Sequence, residues 1–199
     1  MQLVLASGSP RRRELLAEAG YEFDVIVPSA AAECGACSNT GPVRLVTELA
    51  LRKAADVIDR LRVESPERRG ILIAADTVAE CQGQILGKPL DEEHARQILG
   101  LLSGREHRVY TGVCVWPFPA QADDSAAYQL EVDVTTLRMD PLSEEQLEEY
   151  LASGQWRGKA GAFGYQDRLG WVHIVEGSES NVVGLPMERL RQMLARIGR

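Results

Sequence analysis

The turn Ser7-Gly8-Ser9-Pro10 separates the apolar run Leu3–Leu5 from a helix-like stretch that opens with three consecutive arginines, Arg11, Arg12 and Arg13. A strand that turns through small residues into a helix exposes unpaired backbone N–H groups, which together with the helix dipole favour a bound anion. The hydroxyls of Ser7 and Ser9 add donors, and Arg11 and Arg12 add guanidinium groups able to hold a phosphate in a fixed fork. The glycine spacing is that of neither a P-loop nor a dinucleotide-binding turn. Asp76 follows the apolar run Ile71–Ala75. A carboxylate at a strand end could hold a metal ion or orient water, and it could equally cap a turn. Glu33, in the loop after the second predicted strand, is a partner for it. Two carboxylates completed by substrate phosphates would suit Mg²⁺, which rarely takes a full protein cage. Lys88 in GKP and Lys159 in GKAG add cations beside glycines, and each reads equally well as a solvated loop lysine.

The elements that must position these residues alternate between strand and helix. Leu3–Ala6 predicts a buried strand, and Arg11–Ala19 a helix with Ser9 placed to cap it and Pro10 at its first position. Phe23–Val27 reads as a strand. A helix follows from about Pro42 to Leu61, with the apolar stripe Val43, Val46, Ala50, Ala54, Val57 and Leu61. Lys53 falls at the margin of that stripe, where it could be solvated or point into a cleft. Ile71–Ala75 predicts a strand ending at Asp76-Thr77, and Gly83 marks a turn before Leu86. Asp91 caps a helix to Leu102; Val109–Trp116 and Tyr128–Arg138 are strands around a loop at Pro117–Ala126. Ser143 with Gln146 forms a capping box before a helix ending near Gly154. A strand at Val172–Glu176 and a helix at Pro186–Ile197 complete the chain. This alternation predicts an α/β fold with a mixed sheet.

The balance of charge limits the partners. With 199 residues the chain can bury a sizeable core as one domain or a compact two-lobed unit. A net charge of -7 and a pI near 5.1 argue against an extended nucleic-acid-binding face, whereas a small phosphate ligand needs only a local cationic pocket. No apolar run is long enough for a membrane span and no secretory leader is visible, so the expected location is the cytoplasm. Cys34, Cys37, Cys81 and Cys114 are too sparse for a disulfide framework, so reduced thiols are expected. Cys34 and Cys37 have metal-ligand spacing, but no second pair matches them and His94, His107 and His173 are scattered; no zinc site is expected.

Taken together, ASGSPRRRELL, the Glu33 loop, ALRKA, AADTV, LGKP, YTGV, GKAGAFGYQ and EGSESNVVGLP occur in the order found in the Maf family of nucleoside triphosphate pyrophosphatases. The chain resembles that family over nearly its whole length, as a single domain spanning residues 1–199. The resemblance implies a two-lobed mixed-sheet α/β fold similar to that of the inosine triphosphate pyrophosphatases, with a cleft between the lobes. It implies cleavage of a nucleoside triphosphate to the monophosphate and pyrophosphate with Mg²⁺ or Mn²⁺. Asp76 would be the proton acceptor or a metal-associated carboxylate, with Glu33 as its companion. Ser7, Ser9, Arg12, Lys53 and Lys88 would surround the phosphates. Arg11, Thr77 and Gln166 occupy the positions at which the branches of the family differ, and they resemble the branch acting on dTTP and UTP; the 7-methyl-GTP branch tends toward tryptophan, glutamine and glutamate there. Two alternatives follow from the same resemblance: a 7-methyl-GTP pyrophosphatase, or a nucleotide-responsive binding protein in cell division, since the family is associated with septum formation. A homodimer is compatible with either. The chain departs from the common pattern at Gln155-Trp156-Arg157, at Asp167 where glycine is usual, and at Glu179 where an aromatic is frequent. Trp156 is expected to pack in its loop rather than stack on a base.

Overall fold

The computed structural model describes residues 2–33, 41–118, 128–167 and 169–197. Among these residues seven strands form one mixed sheet: β1 (Leu3–Ala6), β2 (Phe23–Val25), β3 (Gly70–Cys81), β4 (Gln84–Leu86), β5 (Glu106–Phe118), β6 (Gln129–Met139) and β7 (Val172–Glu176). The order across the sheet is β2-β1-β3-β5-β6-β7, with β4 paired to β3. Among the described residues six α-helices pack around it: α1 (Pro10–Glu18), α2 (Pro42–Glu64), α3 (Glu92–Leu102), α4 (Glu144–Ser153), α5 (Glu179–Val183) and α6 (Met187–Ile197). Among the described residues, no helix is long and apolar enough to cross a membrane. Cys34 and Cys37, and the predicted loop beyond Phe118 up to Ala126, lie outside the described residues.

Side chains alternate across the pleat, so each strand serves two faces. On one face Leu5, Ile71, Ile73, Ala75, Val113 and Val115 meet Leu16 of α1 and Leu190 and Met193 of α6. On the other, Val4, Ala6, Leu72, Ala74 and Cys114 meet Ala50, Ala54, Val57 and Ile58 of α2. A third cluster gathers Cys81, Leu86, Leu99, Leu102, Leu137, Leu151 and Trp156 at the opposite end of the sheet, under α3 and α4. Each fully buried leucine or isoleucine contributes roughly 1.5–3 kcal/mol by leaving water. The molecule therefore has two packed lobes joined by the long strands β3, β5 and β6.

Several elements differ from their sequence-based bounds. β3 does not stop at Ala75: it pairs antiparallel with β5 without interruption from Gly70↔Phe118 to Glu80↔Arg108. What stops there is its other neighbour. β1 pairs with β3 only from Leu3↔Ile71 to Ala6↔Ala74, and β4 takes over at Ala79↔Leu86. Asp76 and Thr77 lie in the interval where one edge of β3 is uncovered. Val43 leaves the predicted apolar stripe and is 50% exposed, while Lys53, at 6%, sits inside it. Ser9 takes the extended conformation of a cap residue, but its hydroxyl makes no capping hydrogen bond among the described residues. The capping box of α4 and the Asp91 cap of α3 form as predicted. Pro117 and Phe118 extend β5 rather than opening a loop, and α5 has no counterpart in the sequence reading.

Candidate active site

The site lies where the cover on β3 changes from β1 to β4. As β1 ends at Ala6, the chain turns through Ser7-Gly8-Ser9 into α1, leaving a cavity of about 500 Å³ above Asp76 and Thr77. The residues proposed from the sequence for phosphate, metal and base line this one cavity: Ser7, Ser9, Arg11, Arg12, Glu33, Lys53, Asp76, Thr77, Lys88 and Gln166. Lys159, Phe163 and Gly184 join them. Five cationic side chains face two carboxylates across the cavity, in a chain that is net acidic. Such a local excess of positive charge suits a polyanion of small size.

Asp76 and Thr77, adjacent on β3, point to opposite faces of the sheet. Asp76 points to α2, where Lys53 Nζ lies 2.6 Å from its Oδ1 and 2.8 Å from Glu33 Oε1. Lys53 reaches this position because its place on α2 faces the sheet one turn after Ala50 and beside Ala54. The Asp76 side chain is 14% exposed and that of Glu33 57%, so one carboxylate is held in the floor and the other reaches in from the rim. The hydrogen bond from Lys53 holds the Glu33 carboxyl below its ordinary value against the opposing effect of burial, with further help from the charges of Lys53, Lys88 and Arg12. Glu33 is therefore ionised at neutral pH.

Thr77 points to the other face, toward Arg12. The Arg12 guanidinium is buried and donates from Nε to the Gly184 carbonyl at 2.7 Å, from Nη1 to Ser7 Oγ at 3.3 Å and from Nη2 to Thr77 Oγ1 at 3.1 Å. Burial pulls its pKa down, and the nearby Asp76 charge opposes that pull. Three of its five N–H groups are thus committed to the protein, and two remain for a ligand. Arg11 donates to the Gly158 carbonyl at 3.2 Å, and Arg13 is exposed. The three arginines have three different environments.

The far wall is the glycine-rich segment, folded as two 3₁₀ turns, Ala160–Ala162 and Tyr165–Asp167. Gln166 faces the cavity from the second turn. Lys159 forms an ion pair with Asp167, which also accepts a hydrogen bond from Tyr150. Asp167 therefore neutralises the lysine beside Gln166. Trp156 packs in the lobe under α3 and α4 and donates to the Leu151 carbonyl at 3.0 Å, as expected for loop packing. Phe163, Gly184 and the Thr77 partner Thr111 were not read from the sequence. Thr111 and Gly184 could have been suspected only from their placement within YTGV and EGSESNVVGLP, which say nothing of what they touch.

An ion-paired carboxylate beneath a cation-lined cavity can orient water against a phosphoanhydride while the cations draw off charge. A protein of Rhodopirellula baltica named dTTP/UTP pyrophosphatase is 52% identical over 96% of this chain and 80% of its own. One of the same name from Carboxydothermus hydrogenoformans is 39% identical over the full length of both. The solved structure of the Staphylococcus aureus Ham1 protein aligns over 70% of this chain and 72% of its own, with 14% identity and a TM-score of 0.43. The family model described as Maf-like protein matches residues 2–197, from the first strand through the cavity-lining segments to the last helix, and the chain belongs to the Maf family.

Proposed function

We propose that the protein hydrolyses dTTP and UTP to the nucleoside monophosphate and pyrophosphate. The observation that carries this reading is the chain of ion pairs Glu33–Lys53–Asp76 at the foot of a cavity lined by five cationic side chains. The names of the relatives support the same reaction and the same substrates. A nucleoside triphosphate is supplied in the cytoplasm, which is where the activity belongs in this reading.

Among the described residues, no group of three or more His, Cys, Asp or Glu is arranged to hold a metal ion. The donor set is instead two carboxylates drawn together by one lysine. That set fits a hard divalent ion that takes its remaining oxygens from phosphates and water. Asp76 and Glu33 would hold Mg²⁺ or Mn²⁺, which when bound supplies further neutralisation of the triphosphate charge.

In the proposed reaction, Ser7, Ser9, Arg12, Lys53 and Lys88 bind the phosphates. Lys53 engages Asp76 Oδ1 and leaves the second oxygen to orient a water and accept its proton. The water oxygen forms a bond to the α-phosphorus, the bridging oxygen–phosphorus bond breaks, and its electron pair leaves on pyrophosphate. Positioning and charge stabilisation supply most of the acceleration. Gln166, able both to donate and to accept, reads the pyrimidine edge, and Arg11, held by Gly158, flanks it.

Incubation of the purified protein with dTTP or UTP and Mg²⁺ or Mn²⁺, followed by anion-exchange separation, tests the reading. Monophosphate and pyrophosphate are the expected products. Diphosphate and orthophosphate as primary products would refute it.

A further inference from the structure

We propose that Thr111, which lies outside the cavity lining, is a positioning residue for Arg12, and that Thr77 acts on substrate through that same arginine rather than by touching the base. The inference rests on the reading that the cavity takes a triphosphate.

Thr111 is fully buried, and its Oγ1 donates to the Asn181 carbonyl at 3.1 Å. Either oxygen could donate in the 3.0 Å contact between Thr111 and Thr77; a threonine hydroxyl has one hydrogen, so while Thr111 gives its own to Asn181 the contact is donated by Thr77. The Gly184 carbonyl, 3.5 Å from Thr77 Oγ1, is the longer alternative. Thr77 Oγ1 in turn accepts from Arg12 Nη2. An ordered chain of donors thus runs from Arg12 through Thr77 and Thr111 to the backbone of α5, and the Thr77 hydrogen is spent inside the protein. It is not available to a base.

The acceptor end of the chain is itself fixed. Asn181 is fully buried and donates from Nδ2 to the Val109 carbonyl at 3.2 Å and to Thr135 Oγ1 at 2.8 Å. Both contacts lie on the central strands β5 and β6. This ties α5 to the sheet, and α5 leads directly into Gly184, whose carbonyl holds Arg12 Nε. Two of the three anchors of the guanidinium therefore depend on α5. The third is Ser7, whose oxygen also accepts from the Ser9 amide. With three N–H groups held, the guanidinium is fixed in place and keeps one N–H on each of Nη1 and Nη2 for a phosphate.

The test uses Thr111→Val, which keeps the shape and removes both hydrogen bonds, with Thr111→Ser as the conservative variant. Binding of inorganic tripolyphosphate is measured by calorimetry on the full chain, and steady-state constants are measured for dTTP. Thr111→Val is expected to weaken tripolyphosphate about tenfold, the scale of one hydrogen bond to a charged group. KM for dTTP rises by a similar factor, thymidine binding stays unchanged, and Thr111→Ser restores both constants. Should Thr111→Val fail to fold, Thr77→Val carries the test: tripolyphosphate weakens while the ratio of kcat/KM for dTTP to that for 7-methyl-GTP holds. Wild-type affinity for tripolyphosphate in a folded variant overturns the inference, as does a Thr77→Val variant that changes the base ratio and leaves tripolyphosphate alone. Tripolyphosphate binding requires no turnover, so a wild-type protein that binds it yet cleaves no dTTP refutes the proposed function and not the role of Thr111.

Discussion

Gly112 is the β5 residue paired with Asp76, and α2 lies directly on it. A Cβ added there would stand 2.5 Å from the Val46 carbonyl oxygen and 2.6 Å from its carbon, where ordinary contact begins near 3.4 Å. Both atoms are backbone, so no side chain can swing aside. In Gly112→Ala the helix must back off by about 0.9 Å, the difference between those two distances. Lys53 lies two turns further along the same helix, and a shift of that size would stretch its contacts of 2.6 and 2.8 Å to Asp76 and Glu33 unless its side chain extended to follow. Overpacking of this kind costs about 1–3 kcal/mol, and misplacement by about 1 Å at a reacting group costs about 10²-fold in rate. The assays are urea denaturation and release of pyrophosphate at saturating dTTP. Gly100→Ala serves as the control, because it lies on the exposed side of α3 with open space around it and is expected to gain roughly 0.5–1 kcal/mol with unchanged turnover. A Gly112→Ala protein as stable and as active as the wild type would refute the claim that close approach of α2 to β5 sets the Lys53–Asp76 contact.

Asp76→Asn keeps the shape and removes the charge; kcat is expected to fall by about 10²–10⁴-fold with the circular-dichroism melt preserved, and near-normal turnover would return Asp76 to a structural role. For the wild type, kcat/KM with dTTP and UTP should exceed that with 7-methyl-GTP, and Gln166→Glu should narrow the gap; a wild-type preference for 7-methyl-GTP contradicts the role assigned to Gln166. His107 is 2% exposed, and burial lowers its pKa from 6.5 to about 4, partly offset by the Arg105 backbone. The unfolded chain therefore binds the proton first, so stability is complete above pH 6.5, falls by about 3 kcal/mol as pH drops toward 4, and levels off below that. Denaturation midpoints across this range should lose that slope in His107→Leu, and an unchanged slope would show that other groups govern it.

What the sequence determines by itself is local. The Asp91 cap and the Ser143–Gln146 box are read within a single turn, and both form. The helical period puts Lys53 at the edge of a buried stripe, and the alternation of strands and helices yields the mixed sheet. The order of the motifs, matched to a family, names the residues that meet in one cavity. Tertiary structure decides how they meet. β3 runs on past Asp76 because β5 pairs with it throughout, while the opening comes from the end of β1, a strand whose sequence lies some seventy residues away. Arg12 is held by Gly184, 172 residues distant, and Thr111 by Asn181, 70 residues distant. Spacing patterns carry the periods of one helix or one strand. Hydrogen bonds between elements depend on which faces the packing brings together, and that is settled only when the whole apolar surface is buried at once.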